Sequence, residues 1–212
     1  MNVLDDLAAY QRIDPQGMLA CIRDLPRQCR AAWQEAHALE LPDDYRDIDK
    51  VVILGMGGSA IAGDFLRSLV DLESPVPIFS NRAYNLPLLV DDRTLLIASS
   101  YSGNTEEVLS CFEPGLSTGA KKVVTTTGGR LLTTARANGV PAFVFHYESE
   151  PRAALGYSFM PLLVIAQKVG IVADKSEDVD EAIAAMESLA ARIDENAPLA
   201  RNPAKQLAEK LH

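Results

Sequence analysis

The chain has 212 residues, 48% of them hydrophobic and 23% charged, which suits one or two globular domains and excludes disorder over most of the length. Twenty Lys and Arg against 29 Asp and Glu leave a net charge of −9. No dense basic run is available to neutralise a phosphodiester backbone, so no nucleic-acid partner is expected, although a local nest of backbone N–H groups can still hold a small anion.

No apolar stretch approaches the roughly 18–20 residues of a membrane-spanning helix, so no membrane partner is expected either. Met1–Arg12 carries Asp5 and Asp6 and has no apolar signal region. Cys21, Cys29 and Cys111 match neither a disulfide framework nor a zinc spacing. That usage suits a reduced, cytoplasmic protein.

Residues 16–40 read as helical, because Met18, Ile22, Leu25, Cys29, Trp33 and Ala36 recur at steps of three and four. Pro26 divides the segment into two helices and lies near the first turn of the second. Pro42-Asp43-Asp44 reads as a loop. The period then changes. Val51–Leu54 is a short apolar run stopped by Gly55, as in a strand buried on both faces. Similar runs follow at Val76–Phe79, Leu95–Ala98, Lys121–Thr125 and Ala142–Phe145. Helical segments lie between them at Ile61–Leu72, Glu106–Leu116 and Leu131–Asn138. The alternation predicts an α/β protein, a three-layer α-β-α sandwich around a five-stranded parallel sheet.

A long apolar helix is predicted over 153–170. An amphipathic one follows over Asp178–Glu195, with Val179, Ile183, Met186, Ala190 and Ile193 inward. Residues 202–211 read as a further helix, capped by Asn202 with Pro203 in its first position.

The candidate chemistry sits at the strand-to-helix junctions, which a doubly wound sheet gathers at the carboxyl ends of its strands. The first is Gly55-Met56-Gly57-Gly58-Ser59-Ala60. Its glycines permit a sharp turn and close approach to a ligand, and the following helix start favours an anion. Ser59 is expected at the N-cap, either capping the helix or touching ligand. A plain tight turn is the other reading. Gly55, Gly57 and Ala60 also satisfy the dinucleotide fingerprint, but the second strand ends in Ser80-Asn81-Arg82 without the required acid, which makes that reading the weaker.

The second junction, Ser99-Ser100-Tyr101-Ser102-Gly103-Asn104-Thr105-Glu106-Glu107, offers the hydroxyls of Ser100, Ser102 and Thr105 around one glycine. With no carboxylate in the cup itself, it suits a phosphate monoester. At the third, Thr125–Leu131, Arg130 is either a ligand contact or a solvated residue at a helix start. At the fourth, Glu150-Pro151-Arg152-Ala153-Ala154-Leu155, Arg152 places a positive charge at a helix start, against the helix dipole, which suggests a role for the charge. The alternative is a surface arginine. His146 and Glu148 could serve acid–base work but read better as structural or rim residues. No group of residues has a metal-ligand spacing.

G-M-G-G-S-A, then S-Y-S-G-N-T-E-E, T-T-G-G-R-L and P-R-A-A-L, resembles the sugar isomerase (SIS) domain. With N-P-A-K-Q-L-A, the pattern resembles more narrowly the bifunctional phosphoglucose/phosphomannose isomerase family, from Met18 to about Leu211. The resemblance implies a flavodoxin-like SIS fold. It also implies a hexose 6-phosphate substrate held by Gly58, Ser59, Ser100, Ser102 and Thr105, and an enediolate stabilised by Arg152. Glucose and mannose 6-phosphates would both interconvert with fructose 6-phosphate through one enediol, without metal or organic cofactor, in a cytoplasmic homodimer.

The domain reading is an N-terminal helical segment over 1–45, a SIS domain over 46–195 and the start of a second SIS domain over 196–212. In the family a catalytic glutamate, a ring-opening histidine and a lysine lie beyond the helix matching 202–211. The chain is therefore expected to be an N-terminal portion without the base, and His212 is not that histidine. A single-SIS phosphosugar-binding module without turnover is the alternative.

Overall fold

Five strands, β1 (Lys50–Leu54), β2 (Ile78–Asn81), β3 (Thr94–Ser100), β4 (Lys121–Thr126) and β5 (Ala142–Val144), form one sheet in the computed structural model, which describes residues 2–211. The strand order is β2-β1-β3-β4-β5 and every pairing is parallel. This is the doubly wound order, with its topological switch point between β1 and β3. In β1 and β3 the apolar runs are continuous rather than alternating because both faces are covered: every residue of β3 and all but Lys50 of β1 are buried.

The two faces hold different helices. Val52, Leu54, Leu96, Ala98 and Val124 point into one core with α5 (Glu106–Gly115) and α6 (Gly129–Ala137), centred on Phe112. On the opposite face α4 (Gly57–Val70) brings Gly63 against Ile53, leaving room for little more than a hydrogen. α7 (Leu155–Lys168) packs beside α4. The three-layer α/β architecture expected from the strand–helix alternation is the one observed.

The expected strand Val76–Phe79 lies two residues later, at Ile78–Asn81. Pro77 has no N–H for a ladder, and only its carbonyl takes part, accepting from Val51. The N–H of Val76 turns instead to Ser74 Oγ at 3.3 Å. The expected loop at Pro42-Asp43-Asp44 tightens into a 3-10 turn over Asp43–Arg46.

The chain divides into two compact units, Gln28–Lys175, which contains the sheet, and Met1–Arg27 with Ser176–His212. These boundaries divide the chain differently from the sequence reading at 45/46 and 195/196. α2 (Met18–Arg23) and α3 (Leu25–Ala36) are the two helices expected around Pro26. α1 (Leu7–Ile13), which was not expected, starts at Asp6, whose carboxylate accepts from Ala8 N at 3.0 Å. In α8 (Ser176–Ile193), Val179 and Ile183 are buried, whereas Met186, Ala190 and Ile193 are only half-buried. α9 (Pro203–Leu211) begins as expected: Asn202 Oδ1 accepts from Ala204 N at 3.0 Å and Lys205 N at 3.1 Å.

The second unit contains a charge pair that periodicity could not show. Lys205 is buried, and its Nζ donates to Asp5 Oδ1 at 3.0 Å and to the Glu195 carbonyl at 2.8 Å. The hydrogen bond from Lys205 holds the Asp5 carboxyl below its ordinary value of 3.8, helped by the Leu199 N–H. A carboxyl whose folded pKa is depressed stabilises the fold above its unfolded value, and that contribution is lost as pH falls through the folded one. Asp5→Asn should therefore lower the urea midpoint at about pH 7 and flatten its fall below about pH 4. An unchanged acid limb in the variant would remove Asp5 from the account.

Candidate functional site

The carboxyl ends of β1 and β3 flank the switch point, and the first two glycine–serine junctions emerge there. After β1, Met56 is extended, and Gly57 enters α4 with φ of +50°. This lets the helix begin three residues earlier than a cap at Ser59 would place it. Ser59 is therefore not the N-cap but lies in the first turn, nearly buried, with its N–H bonded to the Met56 carbonyl at 3.1 Å. No side chain caps α4.

After β3 the loop is held by its own hydroxyls. Ser100 is buried, its Oγ lies 2.8 Å from Thr105 Oγ1, and it accepts from Gly103 N at 3.1 Å. Ser102 is exposed and accepts from Asn104 N at 3.2 Å. Thr105 is the N-cap of α5, yet its side chain does not bond the helix amides. Two helices thus start at the switch point without side-chain caps, in contrast to α9. Such starts present backbone donors and the positive end of the helix dipole to an anion.

The third junction is spent on the second. Asn104 Oδ1 accepts from Arg130 N at 3.0 Å, and Leu131 N donates to the Gly103 carbonyl at 2.8 Å. Thr127 donates to the Tyr101 carbonyl from both N and Oγ1, at 3.0 and 2.7 Å. Gly103 and Gly129, at φ of +66° and +69°, allow the two loops to press together. Arg130 pairs with Glu113 and is largely exposed, in line with the solvated reading.

The fourth junction lies against the first. A Cβ built on Gly58 would sit 3.2 Å from the Pro151 carbonyl oxygen and 3.7 Å from Arg152 Cα. Arg152 occupies a 3-10 turn over Pro151–Ala153. Its guanidinium is well exposed and 3.4 Å from the Glu150 carboxylate. Gly58, Ser59 and Arg152 are thus neighbours, and Ser100, Ser102 and Thr105 share one loop at the next strand end. His146 and Glu148 are exposed.

Two of the cysteines are unsuited to nucleophilic work: burial pushes the Cys29 thiol up to about 11, and burial also raises Cys111, whose Sγ donates to the Ala83 carbonyl at 3.1 Å. Among the described residues no group of His, Cys, Asp and Glu could hold a metal ion, and no helix is long and apolar enough to cross a membrane.

Sequence reasoning missed three residues that build these loops. Asn104 follows a glycine, a position where a side-chain cap is common, but the helix that it caps belongs to another junction. Tyr101 and Gln28 both bond the segment that carries Arg152. A glutamine within a helix carries no signal of such a role.

No protein-family model matches the chain. The bifunctional phosphoglucose/phosphomannose isomerase of Caldicellulosiruptor bescii is 41% identical over 194 residues, covering 92% of this chain and 57% of that protein. Among solved structures, a hypothetical protein from Thermus thermophilus superposes with a TM-score of 0.67 at 24% identity, covering 99% of this chain and 51% of that one. The C-terminal domain of glucosamine-fructose-6-phosphate aminotransferase from Francisella tularensis gives 0.59 at 17% identity, covering 83% and 54%. The chain thus spans little more than half the length of the proteins it matches. Over nine-tenths of its own length, on a SIS-type fold, it is a homologue of the bifunctional phosphoglucose/phosphomannose isomerases.

Proposed function

We propose that the chain binds hexose 6-phosphates for aldose–ketose isomerisation, with glucose or mannose 6-phosphate interconverting with fructose 6-phosphate through an enediol. The observation that carries this reading is the pair of helix starts at the switch point that lack side-chain caps and carry Ser59 and Thr105 in or at their first turns. The phosphate would be held by Ser59, Ser102, Thr105 and the backbone around Gly58, with Ser100 shaping the loop from within. Arg152, beside Gly58, would meet the sugar end and stabilise the enediolate as negative charge develops.

Abstracting the carbon-bound proton needs a base within hydrogen-bond reach, and none of these residues is one. The proposal is accordingly phosphosugar binding by residues 1–212, with the base supplied from elsewhere. It includes the SIS domain over 46–195, the helical segment over 1–45, the start of a second SIS domain over 196–212, a cytoplasmic setting and a homodimer. The runner-up, a phosphosugar-binding module without turnover, shares the cradle and differs only in chemistry.

The test joins binding to turnover. Ser102→Ala and Ser59→Ala should each weaken fructose 6-phosphate binding by roughly 1.5–3 kcal/mol, the worth of a hydrogen bond to a charged group. A coupled isomerase assay on the 212-residue chain should show no turnover. Turnover would place a base inside the chain, with Glu148 and Glu150 examined first. Undiminished binding in both serine variants would remove the phosphate assignment.

A further inference from the structure

The segment that carries Arg152 has little regular structure of its own. Between the end of β5 at Val144 and the start of α7 at Leu155 it contains only one short 3-10 turn. Yet it is tied at three backbone points by two side chains from other parts of the unit. The Tyr101 hydroxyl donates to the Tyr147 carbonyl and accepts from Ser149 N at 3.2 Å. Gln28 Nε2, on α3, donates to Tyr147 Oη and to the Ala153 carbonyl, each at 2.9 Å. Gln28 is 1% exposed. It is also pressed against the start of α7, where a Cβ on Gly156 would lie 2.6 Å from Gln28 Cβ.

Around Tyr147 the anchoring is aromatic. Tyr101 meets Phe145 edge-on at 5.9 Å, Phe145 stacks on Tyr157 at 5.1 Å, and Tyr147 lies 5.4 Å from Tyr157. The bonded positions bracket Arg152: Tyr147 and Ser149 precede it, and Ala153 follows it directly. One of the clamping residues, Tyr101, is itself part of the Ser100–Thr105 loop.

We propose that Tyr101 and Gln28 are positioning residues that clamp the Phe145–Ala154 segment, so that Arg152 is presented to the sugar end of a ligand whose phosphate sits in the serine loops. This rests on the functional reading above and adds to it which groups set the arginine. Neither residue touches the ligand. Tyr101 fixes the distance between the phosphate loop and the arginine segment. Gln28 fixes that segment against α3 and α7. A guanidinium on an exposed, lightly structured segment would otherwise lose much of its binding free energy to conformational entropy.

The test uses two probes with the intact chain. Inorganic phosphate reports the serine loops alone. 5-Phospho-D-arabinonate adds a carboxylate where the enediolate oxygens would lie, and so reports Arg152 as well. The wild-type chain should bind the aldonate more tightly than phosphate. Tyr101→Phe removes one oxygen and keeps the ring. It should leave phosphate affinity unchanged and weaken the aldonate roughly three- to tenfold, the loss of one or two hydrogen bonds. Gln28→Met, close in volume, should do the same.

In an Arg152→Met background neither change should weaken the aldonate further, because a positioning residue has nothing left to position. Equal loss for both probes would mean a looser fold and would overturn the proposal. Additive loss in the Arg152→Met background would overturn it as well. So would wild-type affinity in both variants, while leaving the functional reading intact. If the wild-type chain binds neither probe, or binds both equally, the functional reading itself fails and takes this proposal with it.

Discussion

Gly103→Ala should abolish measurable binding of fructose 6-phosphate and destabilise the sheet-bearing unit. Gly103 has φ of +66°, and a Cβ there would overlap the Gly128 carbonyl oxygen while lying 2.7 Å from Gly128 C and 2.8 Å from Thr126 Oγ1. The obstacle is largely backbone and has no rotamer with which to move away. The left-handed conformation alone costs an alanine roughly 1–2 kcal/mol, and overpacking adds about 1–3 kcal/mol. Relief would part the two loops and break the bonds from Gly103 N to Ser100 Oγ and from Leu131 N to the Gly103 carbonyl. The site is therefore lost along with the stability. Gly139→Ala is the control: its φ is +65° and nothing lies within 4 Å of the new Cβ. It should cost only the backbone strain and leave binding intact. Equal effects of the two substitutions on binding would refute the buttressing role of the Gly103–Gly128 contact.

Arg152→Met should lower kcat by about 10²–10³, the effect of deleting one preorganised group that meets developing negative charge. KM should change much less, because the charge develops between ground state and transition state. Stability should move by no more than about 0.5 kcal/mol, since the side chain is 65% exposed and pairs only loosely with Glu150. Steady-state kinetics with fructose 6-phosphate on a form that carries the proposed base, beside a urea titration, separate these readouts. A raised KM with kcat retained would reassign Arg152 to ground-state anchoring.

Two inner strands were legible because their apolar runs are short, ended by glycine or serine, and buried on both faces. Val51–Leu54 and Leu95–Ala98 fall within β1 and β3 for that reason. β2 was misplaced by two residues because the apolar pattern includes Pro77, which a ladder cannot use as a donor. The Ser59 cap failed on a backbone detail: at positive φ, Gly57 starts α4 early and moves the serine inside the first turn. α1 carried its signal in Asp6, a good cap, but Ala9 is its sole buried residue, so no apolar face marked it.

The candidate residues of each junction could be read one loop at a time. What joins the loops could not. Asn104 to Arg130, Tyr101 to Tyr147 and Gln28 to Ala153 are hydrogen bonds across 26, 46 and 125 residues. They are set by the strand order rather than by any local pattern. The switch point itself depends on β3 lying beside β1 rather than β2, a fact of topology that no single window contains.

The central claim, that two uncapped helix starts with their serines hold the phosphate of a hexose 6-phosphate, is tested most directly by calorimetric titration of the 212-residue chain with fructose 6-phosphate and, separately, with fructose. The account predicts one site for fructose 6-phosphate with a dissociation constant on the order of 1 mM, about −4 kcal/mol. It further predicts displacement by inorganic phosphate and no detectable heat from fructose. Failure of fructose 6-phosphate to bind, or equal binding of fructose, would contradict it.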